Sequence, residues 1–482
     1  MLITAEILFV LPELALLGLA CLTLVCDVFS NNPNRRVTYW LAQVSLLGVA
    51  GLALYLYPVG TVAVFHQHYI LDPLSVALKV TVCVASLLVF AYSYHYFRQR
   101  DLLQGEYFVL GLFAVLGMLV MISAHSLLTV YLGLELMSLA LYAMVAMNRE
   151  SGTAAEAAMK YFVLGALASG LLLYGISIVY GVSGTLVLPE LAAYLEAETD
   201  NRIMFLFGLV FIIVGIAFKL GAAPFHSWVP DVYEGSPTAV TLFLATAPKV
   251  AAFAMAIRLL IDGMLPMHID WQGMLVILAL LSMAVGNIIA IVQTNIKRML
   301  AYSAIAHAGF LILGILPGLY VEQGASYAGA LFYVIAYVIM SMGAFGFIIL
   351  AGGKDHEADR LDDLKGLADA SPWFALVMLL FMFSLAGVPP FLGFWAKWYV
   401  LKEVVAIGYI WLAVLAVVFS VIGAYYYLRI IKLMYFEQVE TAPRLSADTG
   451  LRVLVSLNGL AVLALGFAPG GLMEICSRVV GL

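Results

Sequence analysis

Apolar runs long enough to cross a bilayer recur from one end of this 482-residue sequence to the other, and short connections separate them. A spanning helix needs about 20 apolar residues, because each rises only about 1.5 Å through a hydrocarbon layer about 30 Å thick. On that measure the sequence predicts about fourteen spans: 5–29, 37–57, 73–96, 106–123, 126–147, 155–180, 203–230, 237–261, 271–293, 298–317, 325–351, 372–403, 407–435 and 451–472. With 64% hydrophobic and only 11% charged residues, there is too little polar surface to cover a soluble core of this size. The fold class expected is therefore an all-α polytopic membrane protein.

Loop charge supports the count. Connections after odd-numbered spans hold Arg35, Arg36, Arg98, Arg100, Arg149, Lys297, Arg298, Lys354, Arg360, Lys365, Lys432, Arg444 and Arg452, whereas those after even-numbered spans hold only Arg202 and Lys402. The positive-inside rule then puts the odd-numbered loops in the cytoplasm and both termini on the non-cytoplasmic side. The longest outer connection carries Glu190, Glu196, Glu198 and Asp200, which suits that face. Met1–Ala5 lacks a basic n-region, so the first apolar run reads as a retained span rather than a signal peptide.

Cys21, Cys26, Cys83 and Cys476 form no paired motif, which argues against a disulfide framework, a metal site or an iron–sulfur cluster. No basic patch interleaved with aromatics suggests nucleic acid, and no phosphate loop, dinucleotide fingerprint or nucleophile elbow is present.

One short pattern repeats. Gly221-Ala-Ala-Pro224-Phe225 in span seven and Gly387-Val-Pro-Pro390-Phe391 in span twelve both read G-x-x-P-F, in helical regions too long to cross straight. Five spans separate them, and an odd number turns the second copy over, as in inverted repeats whose broken helices carry the transport site.

Intramembrane ionisable residues point to the chemistry. A charge at the bilayer centre costs at least about 2.5–3.5 kcal/mol, so such residues need a partner or a wet cavity. Glu135 lies well inside span five, Lys219 just before the first break, Lys249 midway along span eight and Lys397 just after the second break, while Lys160 lies early in span six. Lys79 and Arg258 stand near enough to span ends that snorkelling to the interface is the expected fate of both. A buried lysine whose distance from a glutamate can change binds and releases a proton. Broken helices free backbone carbonyls and admit water between such sites. His226, beside the first break, and His307, in span ten, titrate near neutral pH in water and suit a relay; their spacing does not suit a metal pair.

Two stretches carry a family resemblance. Lys219-Leu-Gly-Ala-Ala-Pro224-Phe-His226-Ser-Trp228-Val-Pro-Asp231 with Glu234-Gly-Ser-Pro-Thr238 resembles the signature of the antiporter-like membrane subunits of respiratory NADH:quinone oxidoreductase (complex I). Gln293-Thr-Asn-Ile-Lys297-Arg-Met-Leu-Ala-Tyr302 through His307-Ala-Gly309 resembles a second signature. The lysine at 397 resembles the subunit N branch, where subunit M carries glutamate; subunit L is longer. The resemblance implies a proton-translocating, non-redox subunit in a bacterial inner membrane, packed among other membrane-arm subunits, with an Mrp-type cation/proton antiporter subunit as the alternative. It implies that Glu135 and Lys219 are a coupled pair, Lys249 a central link and Lys397 the second-half proton site, supported by Lys160, His226, Lys297, Tyr302 and His307. It implies an N-terminal three-helix segment over 1–100, five-span inverted repeats over 104–262 and 270–437, and a C-terminal helix over 450–482. No cofactor is expected in this chain; flavin (FMN), iron–sulfur clusters and quinone belong to other subunits.

Overall fold

The structure, a computed structural model, describes residues 2–30, 32–58, 60–197, 201–318, 327–354, 356–437, 445 and 447–481; side chains are described from residue 6 onward. Glu198, Asp200 and Arg444 lie outside the described residues.

Among the described residues twelve helices are long and apolar enough to cross a membrane, and two shorter apolar helices, Glu106–Ile122 and Pro372–Ala386, complete a one-to-one match to the fourteen expected spans. Polar caps start several of them. The side chain of Ser126 accepts from Thr129 N at 3.2 Å ahead of span five, and that of Asn295 from Arg298 N at 3.1 Å ahead of span ten. Each cap satisfies an amide that the first helical turn leaves without a partner. A two-stranded hairpin, Val62–Val64 against Tyr69–Leu71, lies between spans two and three.

The chain forms two compact units. The first comprises Met1–Phe90, Leu103–Leu220 and Ala247–Met274; the second comprises Ala91–Leu102, Gly221–Thr246 and Leu275–Leu482. One of the chain's passages from the first unit to the second, between Leu220 and Gly221, falls at the first helix break.

Both predicted breaks are present. Span seven is helical over Arg202–Leu220 and resumes at Trp228–Gly235; span twelve is helical over Pro372–Ala386 and resumes at Leu392–Ala406. At each break the glycine takes a left-handed conformation, φ +72° at Gly221 and +87° at Gly387, which a side chain would oppose. The proline three residues later follows a cis peptide bond in both. A further interruption was not anticipated. Span eight consists of Thr238–Leu244 and Ala247–Ile257, then widens into a π-turn over Arg258–Gly263. Pro248 has no N–H for the carbonyl four residues earlier, which accounts for the gap.

In the first unit, spans four and five meet at backbone distance. A Cβ on Gly117 would strike Met137 N and Gly133 O, and one on Gly133 would strike Met121 N. Without a hydrophobic force between helices in lipid, such small-residue contacts hold them together. They also fix the helix that carries Glu135 and Ser138.

The expectation that Lys79 and Arg258 snorkel fails. Lys79 is 0% and Arg258 2% exposed. Lys79 Nζ pairs with Glu13 Oε1 at 2.6 Å and donates to Tyr69 OH at 2.7 Å. Arg258 bonds both oxygens of Asp72, at 2.8 and 2.9 Å, and Asp262 at 2.9 Å. Depth from a helix end was the wrong measure, because span one brings Glu13 to Lys79, and Asp72, just after the hairpin, meets Arg258. Burial alone would raise the Asp72 carboxyl, but the Arg258 charge, its hydrogen bonds and those from Ser75 hold it below the usual carboxylate range. A depressed carboxylate stabilises the fold above its unfolded pKa of about 3.9 and loses that contribution as pH falls through the folded value. Asp72→Asn is therefore expected to lower the thermal midpoint in detergent at pH 7, with the gap from wild type closing below about pH 4. A gap unchanged at pH 3 would contradict this.

Candidate functional site

Three of the sequence-derived residues come together in the first unit. Lys219, on the last turn before the break, donates to Ser138 Oγ at 2.7 Å, and Ser138 Oγ itself donates to Leu134 O at 2.5 Å. The Lys219 Nζ also stands 5.7 Å from the Tyr142 ring centre and 5.6 Å from that of Phe218. Glu135 lies one turn before Ser138 on the same helix, and its Oε1 is buried without a hydrogen-bond partner. Serine thus takes the lysine's proton-bearing end, while the acid one turn away keeps an open acceptor.

Lys249 reaches the break itself. Its Nζ donates at 2.6 Å to the carbonyl of Leu220, the last helical residue before Gly221. The last carbonyls of a helix have no partner within it and carry the negative end of its dipole, so they suit an ammonium. Lys219 and the carbonyl that Lys249 reaches therefore belong to adjacent residues of one helix end.

The second unit repeats this chemistry. Lys397 Nζ donates at 2.8 Å to the carbonyl of Ala386, the last helical residue before Gly387, and at 2.7 Å to Ser420 Oγ. In each unit a lysine 9% exposed or less caps the carbonyl that precedes the break glycine. The lysines come from different places: Lys249 from the following span, Lys397 from the resumed half of the broken helix.

Around Lys397 the groups form a chain. A cavity of about 10 Å³ is lined by Lys397, His307, Asn287, Ser420, Tyr426 and Tyr427, close to the smallest space that holds one water. His307 Nδ1 lies 2.6 Å from Tyr333 OH, and its Nε2 3.3 Å from Tyr427 OH. Tyr427 OH lies 2.5 Å from Ser303 Oγ. Because hydroxyls and a neutral imidazole both donate and accept, this network can pass a proton without net charge.

The remaining expected residues are less closely joined. Tyr302 is buried on the helix of span ten. Lys297, 3% exposed at the start of that helix, donates to Ser236 O at 2.7 Å. His226 is half-buried at the first break, with Nδ1 unpartnered. Lys160 stands apart: its side chain is 42% exposed and pairs with Glu156 at 2.8 Å along the same helix. Among the described residues no group of three or more His, Cys, Asp or Glu side chains could hold a metal ion.

Sequence reasoning missed Ser138 and Ser420, the two hydroxyl partners of the lysines. Serine is common in membrane helices and usually bonds back to its own turn, so neither position stands out.

The family model described as "NADH:quinone oxidoreductase/Mrp antiporter, TM" matches residues 124–423. The chain is 54% identical to NADH-quinone oxidoreductase subunit N of Thioalkalivibrio sulfidiphilus, over 98% of both chains. It is 32% identical to a chain of respiratory complex I from Thermus thermophilus, with a TM-score of 0.81 over 96% of this chain and 98% of that one. A chain of the Mrp complex from Dietzia sp. DQ12-45-1b shares the fold, with a TM-score of 0.85 over 98% and 97% of the two chains, but only 19% identity. The Mrp alternative therefore has a likeness of fold, while the sequence relationship runs to the oxidoreductase. This chain belongs to the subunit N family of NADH-quinone oxidoreductases, within the antiporter-like membrane proteins.

Proposed function

We propose that the chain is a proton-translocating, non-redox subunit of a bacterial NADH:quinone oxidoreductase, working in the inner membrane among other membrane-arm subunits. The observation that carries this reading is the recurrence of a buried lysine on the carbonyl before each helix break, Lys249 on Leu220 and Lys397 on Ala386. A lysine so placed has its charged form stabilised by one or two polar bonds that a small helix movement makes or breaks.

In this reading Glu135 and Lys219 load the first unit, Lys249 links onward, and Lys397 with His307 serves the second. Lys297, Tyr302, His226 and, most peripherally, Lys160 support them. Spans four to eight and nine to thirteen form the inverted repeats, over 104–262 and 270–437. The paired breaks, with the same glycine conformation, support that division. The basic loops face the cytoplasm and both termini the opposite side, by loop charge. FMN, iron–sulfur clusters and quinone belong to other subunits, and the chain's side chains supply only proton transfer and positioning.

The test is NADH-driven proton uptake into vesicles carrying the assembled complex. Glu135→Ala and Lys219→Ala are expected to cut it several-fold, and NADH oxidation falls with it where the two are tightly coupled. Wild-type uptake in both assembled variants contradicts the reading. Isolation of the chain in a separate complex that exchanges Na⁺ for H⁺ would move it to the antiporter class.

A further inference from the structure

A carboxylate outside the proposed path lies at the end of the second unit where the basic loops gather. Glu357, in the connection after span eleven, has 34% of its side chain exposed. Its Oε2 accepts from Thr238 Oγ1 at 2.6 Å. Its Oε1 accepts from Tyr96 OH and lies 3.4 Å from Arg100 Nε, and that guanidinium sits 4.0 Å over the Tyr96 ring. Thr238 begins span eight, and two residues earlier Ser236 O accepts from the buried Lys297. Glu357 and Lys297 therefore grip the same short connection, Ser236-Pro237-Thr238, one from a partly wet position and the other from the interior.

The charges around Lys297 single out Glu357. Glu357, Asp359, Glu234 and Arg100 all act on the lysine, with Glu357 foremost. Glu234 and Asp231 are already engaged by Arg298, at 2.8 and 2.7 Å, and Asp359 accepts from Asn295 Nδ2 at 2.9 Å. Lys297 and Arg100 are the two cations that act on Glu357. Burial alone would raise the Glu357 carboxyl, yet these two cations and the hydroxyls of Thr238 and Tyr96 hold it below the usual range. The carboxylate is thus ionised at neutral pH, held in place, and reachable from water.

We propose that Glu357 is the counter-charge that governs how firmly Lys297 holds its proton, a second acid–lysine couple in addition to Glu135 and Lys219. Glu357 is a positioning residue that acts through Lys297. The inference rests on Lys297 belonging to the proton path.

The test measures proton pumping against pH in vesicles with the assembled complex. Glu357→Gln keeps the side chain's size and removes its charge. A nearby carboxylate favours the charged form of an ammonium, so without it the alkaline limb of the profile moves to lower pH, by on the order of half to one unit. Glu357→Asp restores most of the wild-type profile. Should the glutamine variant fail to assemble, Thr238→Val removes one anchor of the carboxylate and produces a smaller shift in the same direction. A superimposable profile in assembled Glu357→Gln, or in Thr238→Val where that variant is read, overturns the inference. Lys219→Ala measured alongside separates the two readings. If it loses pumping while Glu357→Gln is unchanged, only this inference falls; if it too pumps normally, the path itself is wrong.

Discussion

Replacing Lys397 by arginine is expected to abolish proton pumping, at least tenfold, while leaving the complex assembled. The argument turns on what the lysine does with its proton rather than on its charge. Its ammonium caps Ala386 O and reaches Ser420 Oγ, and it shares a water-sized cavity with His307. Arginine supplies a cation and more donors, so it can satisfy the same carbonyl and hydroxyl. It does not deprotonate at any accessible pH, having a pKa above 12, whereas a buried lysine titrates readily. A structural role for position 397 therefore predicts near-normal pumping in the arginine variant. A proton-carrying role predicts loss. Lys397→Leu would lose pumping under both views and is the weaker experiment. The measurement is proton uptake per NADH oxidised in vesicles, with assembly checked by co-purification of the other subunits. Pumping within twofold of wild type in Lys397→Arg would remove this lysine from the path.

How far the sequence anticipates this arrangement depends on the physical rule available at each position. The spans are legible because hydrocarbon demands a fixed length of apolar chain, and fourteen such runs were countable. The two breaks are legible because the same glycine–proline spacing recurs in two helical regions too long to cross straight. Lys219 and Lys249 are legible by depth, standing too far from a span end to reach the interface, and Lys397 by its place just after the second break. That rule misled at Lys79 and Arg258, where nearness to a span end suggested escape to water although acids from elsewhere in the chain enclose them. Glu357 was not legible at all, since an acid in a short polar loop reads as solvated. Only the fold shows that it and Lys297 hold the same short connection, one at Thr238 and the other at Ser236. Ser138 and Ser420 belong to the same class: what matters is the lysine that reaches them, and no local pattern carries that information. Depth along one helix can be read in sequence; the partner brought by another helix cannot.

The largest stability effect is expected at the N-terminal ion pair, which the snorkelling rule concealed. Glu13 and Lys79 are 4% and 0% exposed and 2.6 Å apart, and Tyr69 OH lies 3.1 Å from both Glu13 oxygens. Lys79→Leu would leave a carboxylate enclosed with only a phenol for company. Breaking a buried pair on one side costs about 3–5 kcal/mol, because the remaining charge is uncompensated. Replacing both partners by apolar residues removes that penalty, and such exchanges are often neutral. The double variant Glu13→Leu/Lys79→Leu is therefore expected to unfold in detergent at nearly the wild-type temperature, well above Lys79→Leu alone. Glu13→Leu alone is expected to fall on the destabilised side too, because a buried ammonium is then left to Tyr69. Thermal unfolding of the four proteins in one detergent closes the cycle. Additive losses in the double variant would mean that the two side chains stabilise the segment through separate contacts, not as a pair. Recovery would show that the pair costs the fold little while intact and a great deal when halved, and that its retention must be explained by something other than stability.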